Sequence, residues 1–283
     1  MIPVIFIHKT GGKPPQEYLL TALRQARSYN TEVVLLGDTK VNLPGIEFYP
    51  LPVLFKEAEE FASHYQHMSS NPHDFELICF QRHFIMKVFM QARGYDQVCV
   101  CDSDMMIYRD MSEIGPMVLK GNLAALSTTE HQPEYRWVSS GCNAFWTLDG
   151  IQKFCDLMTE MYTMADGLAK LQEKWDWHRR MQAPGGICDM TLLWFFTQRY
   201  PTGNTVHILE DGSTFDDNIN SDEGVQPGEY EMNGGIKRLE WTKGTPRGYN
   251  LRLGQWVRFN TLHFQSAAKK RMARYMVERM TDA

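Results

Sequence analysis

The beginning of the chain has its hydrophobic and polar positions in the order of a strand, a helix and a second strand. Residues 2–7 form a short apolar run, and apolar positions then recur at helical spacing over residues 19–26. A second apolar run, residues 32–36, closes with a Gly-Asp pair. This succession predicts two parallel strands, with ligands bound beyond their carboxyl ends.

A similar alternation continues through most of the chain. An apolar helical stripe over residues 80–92 ends at Gly94, and a buried strand at 97–101 leads directly into Asp102-Ser103-Asp104. The other predicted elements are helices at 55–64, 151–164 and 189–196, strands at 123–126, 144–148 and 256–262, a terminal helix after 270, and loops at 166–184 and 211–235. No linker or repeat interrupts them, so we expect one α/β domain with loop insertions.

Composition and charge exclude several classes of protein. Hydrophobic residues make up 43% of the 283 residues and charged residues 22%, which fits a globular protein and not a disordered one. No apolar run reaches the roughly 18–20 residues of a membrane span, so no integral membrane segment is expected. The net charge of −5 argues against a broad nucleic-acid surface but leaves room for a local basic patch.

The six cysteines are scattered through apolar segments without the spacing of a metal site. Cys99 and Cys101 should lie on one face of the strand at 97–101, where they act as small hydrophobic side chains. We therefore expect reduced core thiols and a cytoplasmic protein.

Two carboxylates, Asp102 and Asp104, follow the strand at 97–101, where the backbone leaves the strict alternation of a strand. Both can then turn toward one divalent cation. Mg²⁺ or Mn²⁺ prefers such oxygen ligands and keeps positions for phosphate oxygens. The alternative is a pair of loop aspartates that cap turns, but the strand-helix-strand unit earlier in the chain favours the metal site.

Residues 98–104 resemble the D-x-D element of GT-A-fold glycosyltransferases, which use nucleotide-sugar donors. Residues 80–90 resemble the helix before that element, and residues 140–145 resemble the acceptor-side strand. Residues 263–269 resemble the H-x-x-G-x-x-K element of glycogenin-like and lipopolysaccharide-type transferases, with Ser266 where the pattern has glycine. The resemblance covers nearly the whole chain.

The resemblance implies a single GT-A-like, Rossmann-like domain with a mixed, mainly parallel central sheet flanked by helices. Its nucleotide-sugar-binding part is expected over residues 1–110 and its acceptor-side part over 111–262. Residues 263–283 are expected to form a C-terminal element for the metal and the diphosphate.

The resemblance also implies roles for the residues of these motifs. Asp104 would bind the metal, Asp102 would contact the metal or the donor ribose, and His263 would complete the metal site. Lys269 would meet the diphosphate, since an ammonium group can neutralise a departing nucleoside diphosphate. The alternatives are a core histidine at His263 and a solvated helix residue at Lys269.

Other candidate residues lie near the same strand ends. Arg82 could reach the donor pyrophosphate or the D-x-D carboxylates, because a guanidinium suits bidentate oxyanion contacts; its alternative is a structural salt bridge. His8, Lys9 and Thr10 could form the nucleotide floor, or could be an ordinary polar turn, which is the favoured reading for Lys9.

Candidate catalytic residues come from the second half of the sheet. By the same resemblance, Asp189 matches in position the acidic residue that many GT-A enzymes place near the reacting sugar. It could be a general base, or only an acidic residue that stabilises a helix start. Asn143 could bind donor or acceptor hydroxyls or satisfy a strand end. Asp216 and Asp217, in the predicted loop at 211–235, are weaker candidates.

These roles describe a metal-dependent glycosyltransferase of the hexosyltransferase type. The expected cofactor is Mn²⁺ or Mg²⁺, and the expected donor is a nucleoside-diphosphate sugar, with a UDP-sugar favoured. The acceptor could be a glycan, a glycolipid, a protein or another hydroxyl compound, and the oligomeric state is open. Inversion of the anomeric configuration would need a base such as Asp189, whereas retention would not. The resemblance to the glycogenin-like element favours retention.

Two other functions remain open. A sugar-nucleotide nucleotidyltransferase or pyrophosphorylase would also use carboxylates and Mg²⁺, usually with a glycine-rich basic loop of which residues 10–15 are a faint version. A noncatalytic nucleotide- or glycan-binding protein would bind without turnover. The aromatic and basic segment 175–180 could stack on a sugar, a base or a partner, or could form the outer face of a helix.

Overall fold

A seven-stranded sheet organises the computed structural model, which describes residues 1–277. The strands are β1 Val4–His8, β2 Val33–Gly37, β3 Ile46–Pro50, β4 Gln97–Cys101, β5 Met105–Ile107, β6 Ala124–Ser127, β7 Ser140–Thr147, β8 Thr202–Asn204, β9 Ser213–Thr214, β10 Met232–Asn233, β11 Ile236–Lys237, β12 Leu239–Thr242, β13 Thr245–Asn250, β14 Gln255–Phe259 and β15 Thr261–His263. The central sheet has the order β3-β2-β1-β4-β7-β6-β8. Its neighbouring strands are parallel except where β7 pairs antiparallel with β4 and β6.

Helices cover both faces of this sheet. They are α1 Glu17–Tyr29, α2 Lys56–Ala62, α3 His73–Arg93, α4 Met111–Leu119, α5 Leu148–Thr163, α6 Ala165–Met181 and α7 Asp189–Arg199, with 3₁₀ helices at Leu51–Leu54 and Ser266–Tyr275. Successive side chains of a strand point to opposite faces. In β1, Phe6 therefore packs in the core with α1 and α4, whereas Ile5 packs in the core with α2, α3, α5 and α7. No helix of residues 1–277 has the length and apolarity needed to cross a membrane.

The sequence predicted the main architecture correctly. The mixed, mainly parallel sheet flanked by helices is confirmed, and β1 and β2 are parallel neighbours. Cys99 and Cys101 share one core face, with their Sγ atoms 3.8 Å apart, and both are free thiols. The apolar periodicity sufficed here because these elements bury one continuous face.

One predicted element was wrong, and two others differ from the prediction in detail. Residues 166–184 are mostly the helix α6 and not a loop; only Gly167, Leu171 and Lys174 of this helix are buried, so it carries no apolar stripe. The predicted strand at 256–262 is divided at Asn260 into β14 and β15, which belong to different sheets. The C-terminal residues through 275 form a 3₁₀ helix, and residues 278–283 of the predicted C-terminal element lie outside the described residues.

Two small sheets lie beside the central one. β12, β13, β14 and β9 form a four-stranded sheet, whose β12–β13 hairpin the sequence analysis missed. β5 pairs antiparallel with β15, and this two-stranded sheet sets His263 directly opposite Met105. The segment after β4 and the segment near residue 263 are thereby joined.

Candidate active site

Two distant segments of the chain meet beyond the carboxyl end of β4. A turn follows the strand, in which the backbone N–H of Met105 donates to the carbonyl of Asp102 at 3.0 Å. The backbone N–H of Phe264 donates to the carbonyl of Asp104 at 3.0 Å, next to the β5–β15 pairing. These backbone bonds fix Asp104 beside His263.

Asp102, Asp104 and His263 form a compact cluster of possible metal ligands. One ligand atom from each lies within 4.8 Å of the others. The Nε2 atom of His263 is 3.2 Å from Oδ1 of Asp104, and both side chains are buried, whereas Asp102 is partly exposed. The structure thus brings together the three residues that the sequence predicted for the metal.

His263 is held by groups behind the cluster. Its Nδ1 lies 2.5 Å from the carbonyl oxygen of Asp217, so Nδ1–H donates there and Nε2 faces Asp104. Burial lowers the pKa of His263, but the contacts with Cys142 and Asp104 outweigh burial and leave its pKa well above the usual value. Burial raises the pKa of Asp104, and its contacts with His263 and Lys269 bring it below the usual value. Each side chain thus favours the charged form of the other.

A buried ion pair supports this histidine from below. The Nζ atom of Lys237 lies 2.6 Å from Oδ1 of Asp216, and both side chains are almost fully buried. The other carboxylate oxygen of Asp216 accepts the backbone N–H of His263 at 3.0 Å. The sequence named Asp216 and Asp217 as weaker candidates, but nothing in it pointed to Lys237.

Lys269 reaches the same cluster from the C-terminal 3₁₀ helix. Its Nζ lies 3.0 Å from Oδ2 of Asp104 and 4.9 Å from the centre of the Tyr18 ring. Ser266, which begins that helix, has φ 52°, a conformation that glycine adopts most readily. The serine therefore keeps a glycine-like backbone at the start of the turn that carries Lys269.

Arg82 joins the D-x-D segment to the start of α7. Its two terminal nitrogens each lie 2.7 Å from a carboxylate, one of Asp102 and one of Asp189. Nε2 of His83 is 3.2 Å from the same Asp189 oxygen. Burial raises the pKa of Asp189, but the contacts with Arg82 and His83 outweigh burial and lower the pKa to about 2. Asp189 is thus a firmly ionised partner of Arg82.

Gly186 fixes the approach of the chain to α7. It has φ 141°, and a Cβ atom there would lie 2.3 Å from the carbonyl oxygen of Met68. The backbone N–H of Ile187 donates to that same oxygen at 2.7 Å. Any larger residue would displace this contact and, with it, the position of Asp189.

The turn after β1 is occupied by a carboxylate of the chain itself. Oδ1 of Asp38 accepts from the backbone N–H and hydroxyl of Thr10, at 2.7 and 2.9 Å, and Oδ2 accepts from the N–H groups of Gly11 and Gly12. His8 lies 2.8 Å from Oε1 of Gln16 through its Nε2 atom. The roles of His8 and Thr10 at a nucleotide floor stay predictions.

Asn143 lies below the site and not in it. Its side chain is fully buried, and Oδ1 accepts from the hydroxyls of Ser127 and Thr205 at 2.9 and 2.8 Å. Its Nδ2 donates to the carbonyl of Asp216 at 3.2 Å. This placement links strands within the core, so the predicted catalytic role of Asn143 stays untested and gains no support from the geometry.

A cavity of about 740 Å³ opens over the cluster. Its charged lining near the cluster comes from residues already described, namely Arg82, Asp102, Asp104, Asp189, His263 and Lys269. The same cavity is lined by residues of α6 and of the segment that follows β6, among them Tyr135 and Trp177. Charged side chains of both signs and aromatic side chains thus line one concave site, the kind of place where a ligand commonly binds.

Searches for similar proteins gave matches among solved structures alone: no family model and no curated protein matches the sequence. Mouse xyloside xylosyltransferase 1 is similar with a TM-score of 0.47 and 11% identity, over 70% of this chain and 82% of that one. The galactosyltransferase LgtC, solved with donor and acceptor sugar analogues, has a TM-score of 0.40 and 14% identity, over 72% and 73% of the two chains. The bifunctional glycosyltransferase WbbM has a TM-score of 0.39 and 15% identity, over 72% of this chain and 38% of that one. Likeness at this level carries no activity from one protein to another.

Proposed function

We propose that this protein is a metal-dependent glycosyltransferase that moves a sugar from a nucleoside-diphosphate sugar to an acceptor hydroxyl. The observation that carries the proposal is the cluster of Asp102, Asp104 and His263, with one ligand atom of each within 4.8 Å, beside Lys269. It lies where a nucleotide is expected in such a sheet, because the order of strands reverses between β1 and β4.

The donor set fits Mn²⁺ or Mg²⁺. Two carboxylates and one imidazole are oxygen and nitrogen ligands, and the partly exposed Asp102 leaves one side of the cluster open toward the cavity. The carbonyl of Asp217 orients His263 as an outer partner commonly orients a metal-bound histidine. A bound cation would neutralise charge on the diphosphate and make it a better leaving group.

The cationic side chains supply the rest of the diphosphate site. Lys269 is half-exposed toward the cavity and can turn its ammonium group from Asp104 to a phosphate oxygen. Arg82 holds Asp102 on one side and Asp189 on the other, so it positions the D-x-D segment as well as offering charge. His8 and Thr10 remain our candidates for the nucleotide floor.

Asp189 is a poor general base in this arrangement. A carboxylate with a pKa of about 2, paired with Arg82 and His83, has little tendency to take a proton near neutral pH. Its placement favours a role in fixing Arg82. Because inversion would need a base such as Asp189, this placement favours the retaining mechanism, and a UDP-sugar is the donor we would test first.

The nucleotidyltransferase alternative loses support from the turn after β1. The N–H groups of Thr10, Gly11 and Gly12, which would have to bind phosphate in a glycine-rich loop, already donate to Asp38. A noncatalytic binding protein would bind its ligand without turnover, so a measurement of turnover distinguishes it from an enzyme. The division at residues 110 and 262, the cytoplasmic location and the acceptor class stay predictions.

In the decisive experiment, the protein is incubated with a panel of nucleoside-diphosphate sugars and Mn²⁺. Released diphosphate is measured, with EDTA as the control. Slow transfer to water reveals the donor without the acceptor. Metal-dependent release from one donor supports the proposal and identifies the sugar. If no donor is cleaved and calorimetry detects no nucleotide binding, the proposal is refuted.

His263→Ala is expected to weaken Mn²⁺ binding by more than about 10-fold, because one of three ligands is lost. The wild-type affinity should rise with pH: the raised pKa of His263 means that a proton must leave before a metal binds, and fewer protons remain at higher pH. Titration with Mn²⁺ at several pH values checks both statements. An unchanged titration curve in the variant would mean that His263 does not bind the metal and has a structural role.

A further inference from the structure

We propose that the acceptor is a carbohydrate, and that one of its sugar rings packs on an aromatic wall formed by Tyr135 and Trp177. This inference rests on the proposed function, and it selects one acceptor class from those left open above. The wall lines the same cavity as the metal cluster but belongs to other elements, α6 and the segment after β6.

The two rings form a surface suited to the C–H face of a pyranose. Their centroids are 5.7 Å apart with an interplanar angle of 36°, and both side chains are partly exposed in the cavity. Phe75 from α3, whose side chain is mostly exposed, lines the cavity as well. Aromatic faces in a concave site combine apolar contact area with a polar edge, as a sugar with one apolar face requires.

Polar groups of both signs surround the wall. Glu134, Arg136 and His178 line the same cavity; Glu134 and His178 can exchange hydrogen bonds with sugar hydroxyls, whereas Arg136 already pairs with Glu223. A strongly acidic acceptor peptide would be repelled by Glu134, and a strongly basic one by Arg136. The mixture therefore favours an uncharged, hydroxyl-rich ligand.

The backbone that presents Tyr135 is strained. Tyr135 has φ 56° and Trp137 has φ 38°, in the region that residues other than glycine rarely adopt. Two such residues in one short segment persist only when the surroundings impose them, and strain of this kind concentrates at ligand clamps.

Three contacts impose this conformation. The ring of Trp137 stacks on Trp194 at 5.3 Å with an interplanar angle of 8°. The buried ammonium group of Lys174 donates to the carbonyl of Arg136 and to the hydroxyl of Thr191, each at 2.9 Å. Arg136 also pairs with Glu223 at 2.9 Å. The segment is thus held ready before any ligand binds, which reduces the entropy lost on binding.

The position of the wall separates it from the nucleotide base. A nucleotide beyond β1 and β4 would extend toward His8 and Thr10, which are not among the described residues that line the cavity. The wall lies on the side of Asp189 and α6 instead. The expected nucleotide floor and the aromatic wall are therefore formed by different residues, and only the wall lines the cavity that contains the metal cluster.

The test measures sugar binding directly and does not depend on turnover. The full chain, with Mn²⁺, is applied to a printed glycan array, and the best glycan is then studied by saturation-transfer NMR and titration. We expect saturation on the C–H protons of one sugar face. Trp177→Leu and Tyr135→Gly should each weaken glycan binding about 10-fold or more, with thermal midpoints within a few degrees, since glycine relieves the positive φ.

Two further variants make the result specific. Tyr135→Phe keeps the ring and loses only the hydroxyl contact with Glu173, so it should retain most of the affinity. Trp241→Leu removes a partly exposed tryptophan of β12 outside the cavity lining and should change neither glycan binding nor donor hydrolysis.

The outcomes are distinguishable. Metal-dependent donor hydrolysis without any glycan bound would overturn this inference and leave the proposed function standing. Glycan binding that survives both ring-removing variants would also overturn it, as would preferential binding of a lipid or a peptide. Failure to bind any nucleotide would refute the proposed function itself, and this inference with it.

Discussion

Asp104→Asn is expected to lower metal-dependent turnover by more than about 100-fold, because loss of an outer partner of a metal ligand alone costs about 10–100-fold. The carboxylate of Asp104 is buried and meets both His263 and Lys269. Asparagine has the same shape and keeps one oxygen, but it lacks the negative charge that binds a cation. Released diphosphate in the donor assay, with Mn²⁺ varied, measures the loss.

The fold should survive this substitution, with a thermal midpoint within a few degrees of the wild type. Lys269 is partly exposed, so water can solvate its ammonium group when the carboxylate is gone. The lowered pKa of Asp104 means that its pairing stabilises the protein above the unfolded value, about 3.9, and is lost as pH falls through the folded value. The variant should lack this part of the acid dependence in metal-free buffer.

Asp149→Asn is the matched control. Asp149 is an exposed carboxylate that pairs with Lys153 on the surface of α5, and its removal should leave turnover unchanged. Full activity in Asp104→Asn, with the control behaving as expected, would contradict the metal assignment.

Lys237→Met is expected to lower the free energy of unfolding by about 3–5 kcal/mol, the usual cost of removing one partner of a buried ion pair. Lys237 and Asp216 are almost fully buried, with 2.6 Å between Nζ and Oδ1. The substitution leaves the Asp216 carboxylate without its countercharge beneath His263. Urea denaturation in EDTA measures the change without a contribution from bound metal.

Two comparisons identify the cause of that loss. Lys237→Met combined with Asp216→Asn should recover part of the stability, because no uncompensated charge is then buried. Lys153→Met breaks an exposed pair on α5 and should cost no more than about 0.5 kcal/mol. A loss below about 1 kcal/mol in Lys237→Met would mean that the buried pair contributes little to stability.

The sequence predicted best where a single chain segment carries the information. The apolar run of β4 and the two aspartates after it are adjacent in sequence, so periodicity located both the strand and the candidate ligands. The helix α3 was predicted from its apolar stripe and from Gly94, which ends it in a left-handed conformation. Arg82 was a candidate because a guanidinium in that apolar helix could reach oxyanions such as the D-x-D carboxylates.

The sequence predicted poorly where exposure or distance removes the signal. The helix α6 is largely exposed, so its polar positions resembled a loop. The hairpin β12–β13 was missed although Lys243-Gly244, with positive φ at both residues, is a usable turn signal. The partnership of Lys237 with Asp216 depends on tertiary packing, and no local pattern contains it. Strain at Tyr135 is likewise visible only in three dimensions.

The pairing of β5 with β15 has a consequence for the order in which the protein matures. During synthesis the aspartates of the D-x-D segment emerge long before His263 and Lys269, which complete the cluster. Until β15 docks, Asp104 has neither the imidazole of His263 nor the ammonium group of Lys269 beside it, and only Asp102 has a cationic partner, Arg82. A growing chain, or one cut before β15, should therefore lack two of the side chains on which the proposed diphosphate site depends.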